Sequence, residues 1–233
     1  MQIAELGSHH LDHLYGLNEQ HLVEYQDRQL EVRTAEAFLQ LQQCALQAGF
    51  DLQICSAYRG FERQCAIWNA KAQGRRPLLD AQSKPIDFAL LSPEQIMQSI
   101  LIWSAFPGSS RHHWGTDIDV FDANNINQQQ LKLVTDEYLI GGPCYEMHRW
   151  LMAHAHEFGF YFPFQAGLSG VSPEPWHLSY YPVAQDYLER FDHLRLKSII
   201  NCASVDLKPQ LLAVLPQLID QYVSFVAPIP KTS

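Results

Sequence analysis

Ser110-Arg111-His112-His113-Trp114-Gly115-Thr116-Asp117-Ile118-Asp119 crowds two histidines, an arginine and two carboxylates into one short run. Thr116 to Phe121 alternates in the manner of a strand. His112 and Asp119 are separated by an odd number of positions, so one continuous strand would send them to opposite faces. They converge if the chain bends at Gly115, with His112 on the preceding loop. Asp117 and Asp119 then point the same way, and Ile118 and Val120 face the core. Two carboxylates on one buried face are costly unless a cation or a hydrogen-bond network compensates them. A His–Asp pair at this spacing also arises by accident on a surface or in a core. The neighbouring His113, Trp114 and Asp117 strengthen the metal reading.

Glu174-Pro175-Trp176-His177 is the second informative stretch. It can present a base and a ligand to the same water. Catalytic zinc usually takes three protein ligands and leaves one position open. His112, Asp119 and His177 would be those ligands, with Glu174 accepting a proton from water. The bland alternative is a loop carboxylate beside a partly buried histidine. The third stretch, Ser56-Ala57-Tyr58-Arg59, stands at a strand end. Arg59 there can stabilise negative charge on a carbonyl or carboxylate oxygen, or form a surface ion pair.

The whole chain agrees with an ordinary soluble domain. It has 233 residues, 47% apolar and 18% charged, enough to bury a core without staples. A metal is therefore expected to be catalytic rather than structural. The formal charge of −9 argues against non-specific nucleic-acid binding, which depends on Lys and Arg at phosphates. Cys44, Cys55, Cys65, Cys144 and Cys202 form no CxxC pair and read as free thiols of a reducing compartment. Met1 to His10 lacks a basic segment followed by an apolar run. No apolar run of membrane-spanning length occurs either. The expectation is a cytoplasmic protein without membrane insertion.

Around the three stretches, helices and strands mix without a regular βαβ rhythm, which favours an α+β fold. One domain is expected. Residues 1–33 form an N-terminal arm, 34–182 the core and 183–233 a mainly helical extension. Thr34 can cap a helix to Ala48, with Ala35, Phe38, Leu39, Ala45 and Leu46 on its apolar face. Phe50 to Ser56 reads as a strand and Phe61 to Ala72 as a helix. Residues 74–93 read as a long loop. Ser92-Pro93-Glu94 opens a helix towards Trp103. Tyr145 to Phe158 is a further helix, closed by Gly159, and Trp176 to Tyr180 is strand-like.

Taken in order, the three stretches resemble the zinc D-alanyl-D-alanine carboxypeptidase and dipeptidase family, the VanY-type peptidases, whose fold is shared by hedgehog signalling domains. Ser110, His112, Gly115 and Asp119 fill one family pattern. Glu174, Trp176 and His177 fill a second, and Ser56, Tyr58, Arg59 and Gln64 a third. The resemblance spans residues 34 to 182. It implies a small, mainly antiparallel sheet flanked by helices. It also implies one Zn2+ on His112, Asp119 and His177, with Glu174 as base and acid and Arg59 polarising the scissile carbonyl. Ser110, Tyr58, Gln64 and Trp176 would lie beside a peptidoglycan-derived peptide.

Two positions depart from a simple match. Asp117 could orient a histidine ligand or compete with Asp119, and His113 could compete with His112. The implied reaction is hydrolysis of a D-alanyl-D-alanine bond. A D,D-dipeptidase, an L,D-endopeptidase or a non-catalytic zinc-containing binding module could use the same scaffold. A histidine-rich metal buffer, suggested by His9, His10, His13, His148, His154 and His156, is the remaining reading, though their dispersal favours solvated side chains.

Overall fold

The structure, a computed structural model, describes residues 9–230. The reading of residues 1–8, and of the side chains of His9 and His10, falls outside the described residues. The expected N-terminal arm carries structure of its own. A 3-10 turn over His9–Tyr15 buries Leu14 and Tyr15. Strands β1 (Leu22–Tyr25) and β2 (Arg28–Glu31) follow as an antiparallel hairpin.

Helix α1 (Val32–Gln47) starts earlier than Thr34 suggests. Glu31 is the cap: its carboxylate accepts the Thr34 backbone N–H at 2.9 Å and the Thr34 hydroxyl at 3.0 Å. The Thr34 side chain thus serves the cap instead of making it. The buried face is Thr34, Ala35, Phe38, Leu41 and Ala45, at the spacing of one helical stripe. Leu39 and Leu46, expected on that face, are exposed.

Strand β3 (Leu52–Ser56) and helix α2 (Phe61–Ala72) fall where their patterns place them. The segment expected as plain loop holds a minimal hairpin, β4 (Leu78–Leu79) with β5 (Pro85–Ile86). Helix α3 (Pro93–Leu101) opens on a reciprocal Ser92–Gln95 capping box. Strand β6 (Asp117–Asp122) comes next. Helix α4 (Tyr145–His154) continues as a 3-10 turn to Phe158, and Gly159 ends it in the left-handed region at φ 81°. Strands β7 (Phe160–Tyr161) and β8 (His177–Tyr180) complete the sheet. Helices α5 (Tyr181–Glu189), α6 (His193–Cys202), α7 (Lys208–Ala213) and α8 (Leu215–Ile219) fill the tail.

The main sheet is antiparallel throughout, in the order β3-β6-β8-β7. It is the small sheet flanked by helices that an α+β fold predicts. One apolar cluster joins the sheet to α1 and α4, through Phe38, Leu41, Ile54, Ile118, Val120, Met147 and Leu178. A second joins α2 and α3 to the tail, through Trp68, Ile96, Ile100, Leu196, Ile200, Leu211 and Leu215. The metal-ligand candidates and Glu174 belong to β6, β8 and the segments that lead into them, and Arg59 to the connection between β3 and α2. All five cysteines are free. Among the described residues no helix is long and apolar enough to cross a membrane.

Candidate active site

The bend at Gly115 takes the form its sequence demands. Its φ is 69°, and an added Cβ would stand 2.5 Å from Leu22 Cδ2 and 2.8 Å from the Glu31 backbone nitrogen. Glycine relieves both the conformational and the steric problem. The turn before it, Arg111–Trp114, is 3-10 and carries His112. After it β6 runs antiparallel to β8, in a register that sets Asp119 directly opposite His177. One atom from each of His112, Asp119 and His177 falls within 4.8 Å of the others, and all three residues are buried.

Hydrogen bonds decide which ring nitrogens face this point. Nε2 of His177 is 2.9 Å from Asp117 Oδ1, while its Nδ1 faces Asp119 Oδ1 at 3.1 Å. His112 turns Nδ1 to the Asp117 carbonyl at 3.1 Å and Nε2 to Asp119 Oδ2 at 3.4 Å. Asp117 therefore stands behind the group. Arg111 Nε at 2.8 Å, the Thr116 hydroxyl at 2.6 Å and the Ser179 hydroxyl at 3.1 Å hold its carboxylate there. An imidazole that donates from one nitrogen to a carboxylate is a more basic, better oriented ligand through the other. His113 has no such freedom. Its Nε2 accepts the Gly108 N–H at 3.2 Å and its Nδ1 bonds the Arg59 carbonyl.

The charge balance also favours a cation. Burial lowers the His177 pKa, but its bonds to Asp117 and Asp119 reverse this and raise it to about 10. A proton is held where two carboxylates converge, and a divalent ion at the same point would meet the same field. Burial lowers His112, which favours its neutral, metal-binding form. Two imidazole nitrogens and one carboxylate oxygen make a donor set that suits catalytic zinc.

Glu174 and Arg59 face the same space. The Glu174 carboxylate lies 3.4 Å from His177 Nδ1. Burial drives its pKa up to about 7, against the pull of His177; Asp119 adds to the rise, and Arg59 and Lys71 oppose it. Arg59 donates to Gln64 Oε1 at 3.0 Å and to the Ser56 hydroxyl at 3.2 Å. Gln64 in turn donates to the Ala105 carbonyl at 2.6 Å. That chain aims the guanidinium.

A cavity of about 320 Å³ is lined by Arg59, Ser110, His112, Asp119, Glu174, Trp176 and His177. Seven of the nine residues singled out in the sequence thus converge on one space. Tyr58 and Gln64 are not on its wall. Tyr58 reaches back to the Gly16 carbonyl at 3.5 Å, and Gln64 is fully buried behind Arg59. Sequence reasoning missed Lys71, Arg76, Trp103, Ser104 and Tyr222, which also line the cavity. One signal was available: Ile67 and Lys71, both on the wall, are i,i+4 neighbours on α2.

A buried set of two imidazoles and a carboxylate, with a further acid and a guanidinium at one cavity, defines the site of a metal-dependent hydrolase. Residues 27–183 match the VanY family, D-alanyl-D-alanine carboxypeptidase, and the chain belongs to that family. It is 33% identical over 118 residues to an uncharacterized protein of Haemophilus influenzae, covering 49% of this chain and 90% of the relative. It is 29% identical over 130 residues to a D-alanyl-D-alanine carboxypeptidase of Enterococcus faecalis. That match covers 54% of this chain but only 39% of the enzyme. Among solved structures, the fold is similar to the vancomycin resistance D,D-pentapeptidase VanY in complex with Zn(II). The TM-score is 0.50 and the identity 21%, over 74% of this chain and 88% of that one. VanYB in complex with D-alanine-D-alanine gives the same score and identity, over 82% and 91%.

Proposed function

We propose that the protein is a zinc carboxypeptidase that removes the last residue from peptides ending in D-alanyl-D-alanine, of the kind found in peptidoglycan. The observation that carries this is the meeting at one cavity of three ligand atoms within 4.8 Å, Glu174 at 3.4 Å from His177, and Arg59. His112 through Nε2, His177 through Nδ1 and Asp119 would hold one Zn2+. The solved VanY relative binds Zn(II) and VanYB binds D-alanine-D-alanine, and we carry both ligands to this chain.

Zinc, when bound, supplies a Lewis acid that polarises a carbonyl and acidifies water. The chain's own groups do the rest. Glu174 takes a proton from the attacking water as the water oxygen bonds to the scissile carbonyl carbon. Its pKa of about 7 suits a group that must both accept and release a proton near neutrality. Arg59 donates hydrogen bonds to the negative charge that develops on the carbonyl oxygen. As the carbon–nitrogen bond breaks, Glu174 returns the proton to the leaving amine. Ser110 and Trp176 line the space in which the peptide sits. Asp117 and Arg111 orient His177, and Gln64 orients Arg59.

The test is release of D-alanine from an acyl-D-Ala-D-Ala peptide by the wild type and Glu174→Gln. The wild type should release D-alanine. The variant should keep its zinc and lose about 10²–10⁴-fold in kcat. A variant as fast as the wild type would remove Glu174 from the mechanism. A zinc-loaded wild type without activity would favour a binding module on this scaffold.

A further inference from the structure

A second cavity, of about 290 Å³, is lined by Tyr161, α5 and residues 226–229. Among the described residues Arg111 is the one side chain that lines both this cavity and the catalytic one. Arg111 is only 4% exposed. Its Nε donates to Asp117 at 2.8 Å and its Nη2 to the Ser179 hydroxyl at 2.7 Å, both behind the metal-ligand group. One face of the guanidinium lies over the Trp114 ring, 4.6 Å from its centroid. Nη1 is buried without a hydrogen-bond partner. It carries two N–H donors, and leaving them unmade inside a protein costs the desolvation of the group.

Two more donors stand on the same wall. Tyr161 is buried and Tyr181 half-buried, with ring centroids 6.1 Å apart. Neither hydroxyl is hydrogen-bonded within the described residues. Arg111 and Tyr161 lie within electrostatic reach of each other. Much of the remaining wall is aliphatic, with Ala184, Leu188 and Ile229. Glu189, also on the wall, is exposed and accepts from Gln185 Nε2 at 3.1 Å.

Unpaired donors beside aliphatic walls are complementary to a polar head on a short apolar body. A guanidinium selects a carboxylate for that head. An inorganic anion would leave the aliphatic wall bare, and a hydrocarbon would leave the donors unmade. A dianion is disfavoured, because Asp117 already balances the charge of Arg111 and Glu189 stands nearby.

We propose that this cavity is a binding site for a small aliphatic monocarboxylate, held by Arg111 Nη1 and the Tyr161 and Tyr181 hydroxyls. The site stands apart from the hydrolytic reading, yet it touches the metal centre through one relay. The guanidinium that would hold the ligand also holds Asp117, and Asp117 meets His177 Nε2 at 2.9 Å. A negative charge added behind a cation site favours the cation. By linkage, zinc and the carboxylate then tighten each other's binding.

Butyrate and its neutral analogue butyramide are titrated calorimetrically into the wild type, Tyr161→Phe and Leu188→Trp. Neither substituted residue lines the catalytic cavity. The wild type should bind one butyrate about 10- to 100-fold more tightly than butyramide, the range for hydrogen bonds to a charged group. Tyr161→Phe removes a hydroxyl and keeps the ring, so butyrate should bind about 3- to 10-fold more weakly. Leu188→Trp fills the cavity and should weaken both compounds. A wild type that binds neither compound, or both equally, overturns the site. Butyrate binding unchanged in both variants places the acid elsewhere, at the metal centre included, and also overturns it.

Competition with a chelator reads the relay without turnover. Saturating butyrate should raise the zinc affinity of the wild type about fivefold or more, and less in Tyr161→Phe at the same concentration. No rise, or an equal rise in both proteins, overturns the relay. If the wild type takes up no zinc, the metal reading is the one that fails, and the calorimetric comparison still decides the carboxylate site.

Discussion

At the scale of single residues, Asp117 shows what one hydrogen bond decides. The sequence places it on the face of Asp119, and either carboxylate could have been the ligand. Arg111, Thr116 and Ser179 hold Asp117 against His177 Nε2, so in the proposed metal centre it would orient a ligand and leave Asp119 to be one. Nothing in the local spacing could foretell this, because Ser179 arrives from β8. Asp117→Ala should weaken zinc affinity about 10–100-fold, the usual effect of losing such a partner, as read by competition with a chelator. Unchanged affinity would mean that His177 needs no orienting group.

At the scale of elements, the site was largely legible where chemistry lay close in sequence. The bend at Gly115 and the alternation of β6 are local, and both are observed. The pairing of Asp119 with His177 across β6 and β8 joins residues far apart in sequence. Residue chemistry could group the two as ligands of one metal, but not as partners on neighbouring strands. Only the start of α1 was read less well: it opens on Glu31, whose carboxylate folds forward onto the first turn and caps it as a shorter side chain would. The Gly115 turn is the element on which the ligand geometry depends. Gly115→Ala places a Cβ against the Glu31 backbone and Leu22 at positive φ. It should cost at least about 2 kcal/mol of stability in urea unfolding and reduce zinc retention. A variant as stable as the wild type would show that the turn can reorganise.

At the scale of the whole molecule, the helical tail is part of the core and not an appendage to it. Its helical pattern was readable, but its partners were not, because periodicity says which face is apolar and not what covers it. Leu196, Ile200, Leu211 and Leu215 pack with Trp68, Ile96 and Ile100. The Trp68 indole donates to the Asp206 carbonyl at 2.8 Å, and Asn69 to the Ser204 carbonyl at 2.9 Å. Tyr222 reaches the cavity wall. Removing the chain after residue 190 strips one side of that cluster. It should yield an aggregating or unfolded product, visible as loss of a cooperative thermal transition. A soluble, fully active truncation would contradict this. The central claim is that His112, Asp119 and His177 make one metal centre. Its most direct test is elemental analysis of the wild type and His177→Ala, purified side by side without added metal. The account predicts about one zinc per wild-type chain and little in the variant. A folded wild type that carries no zinc and takes up none when it is offered would contradict it.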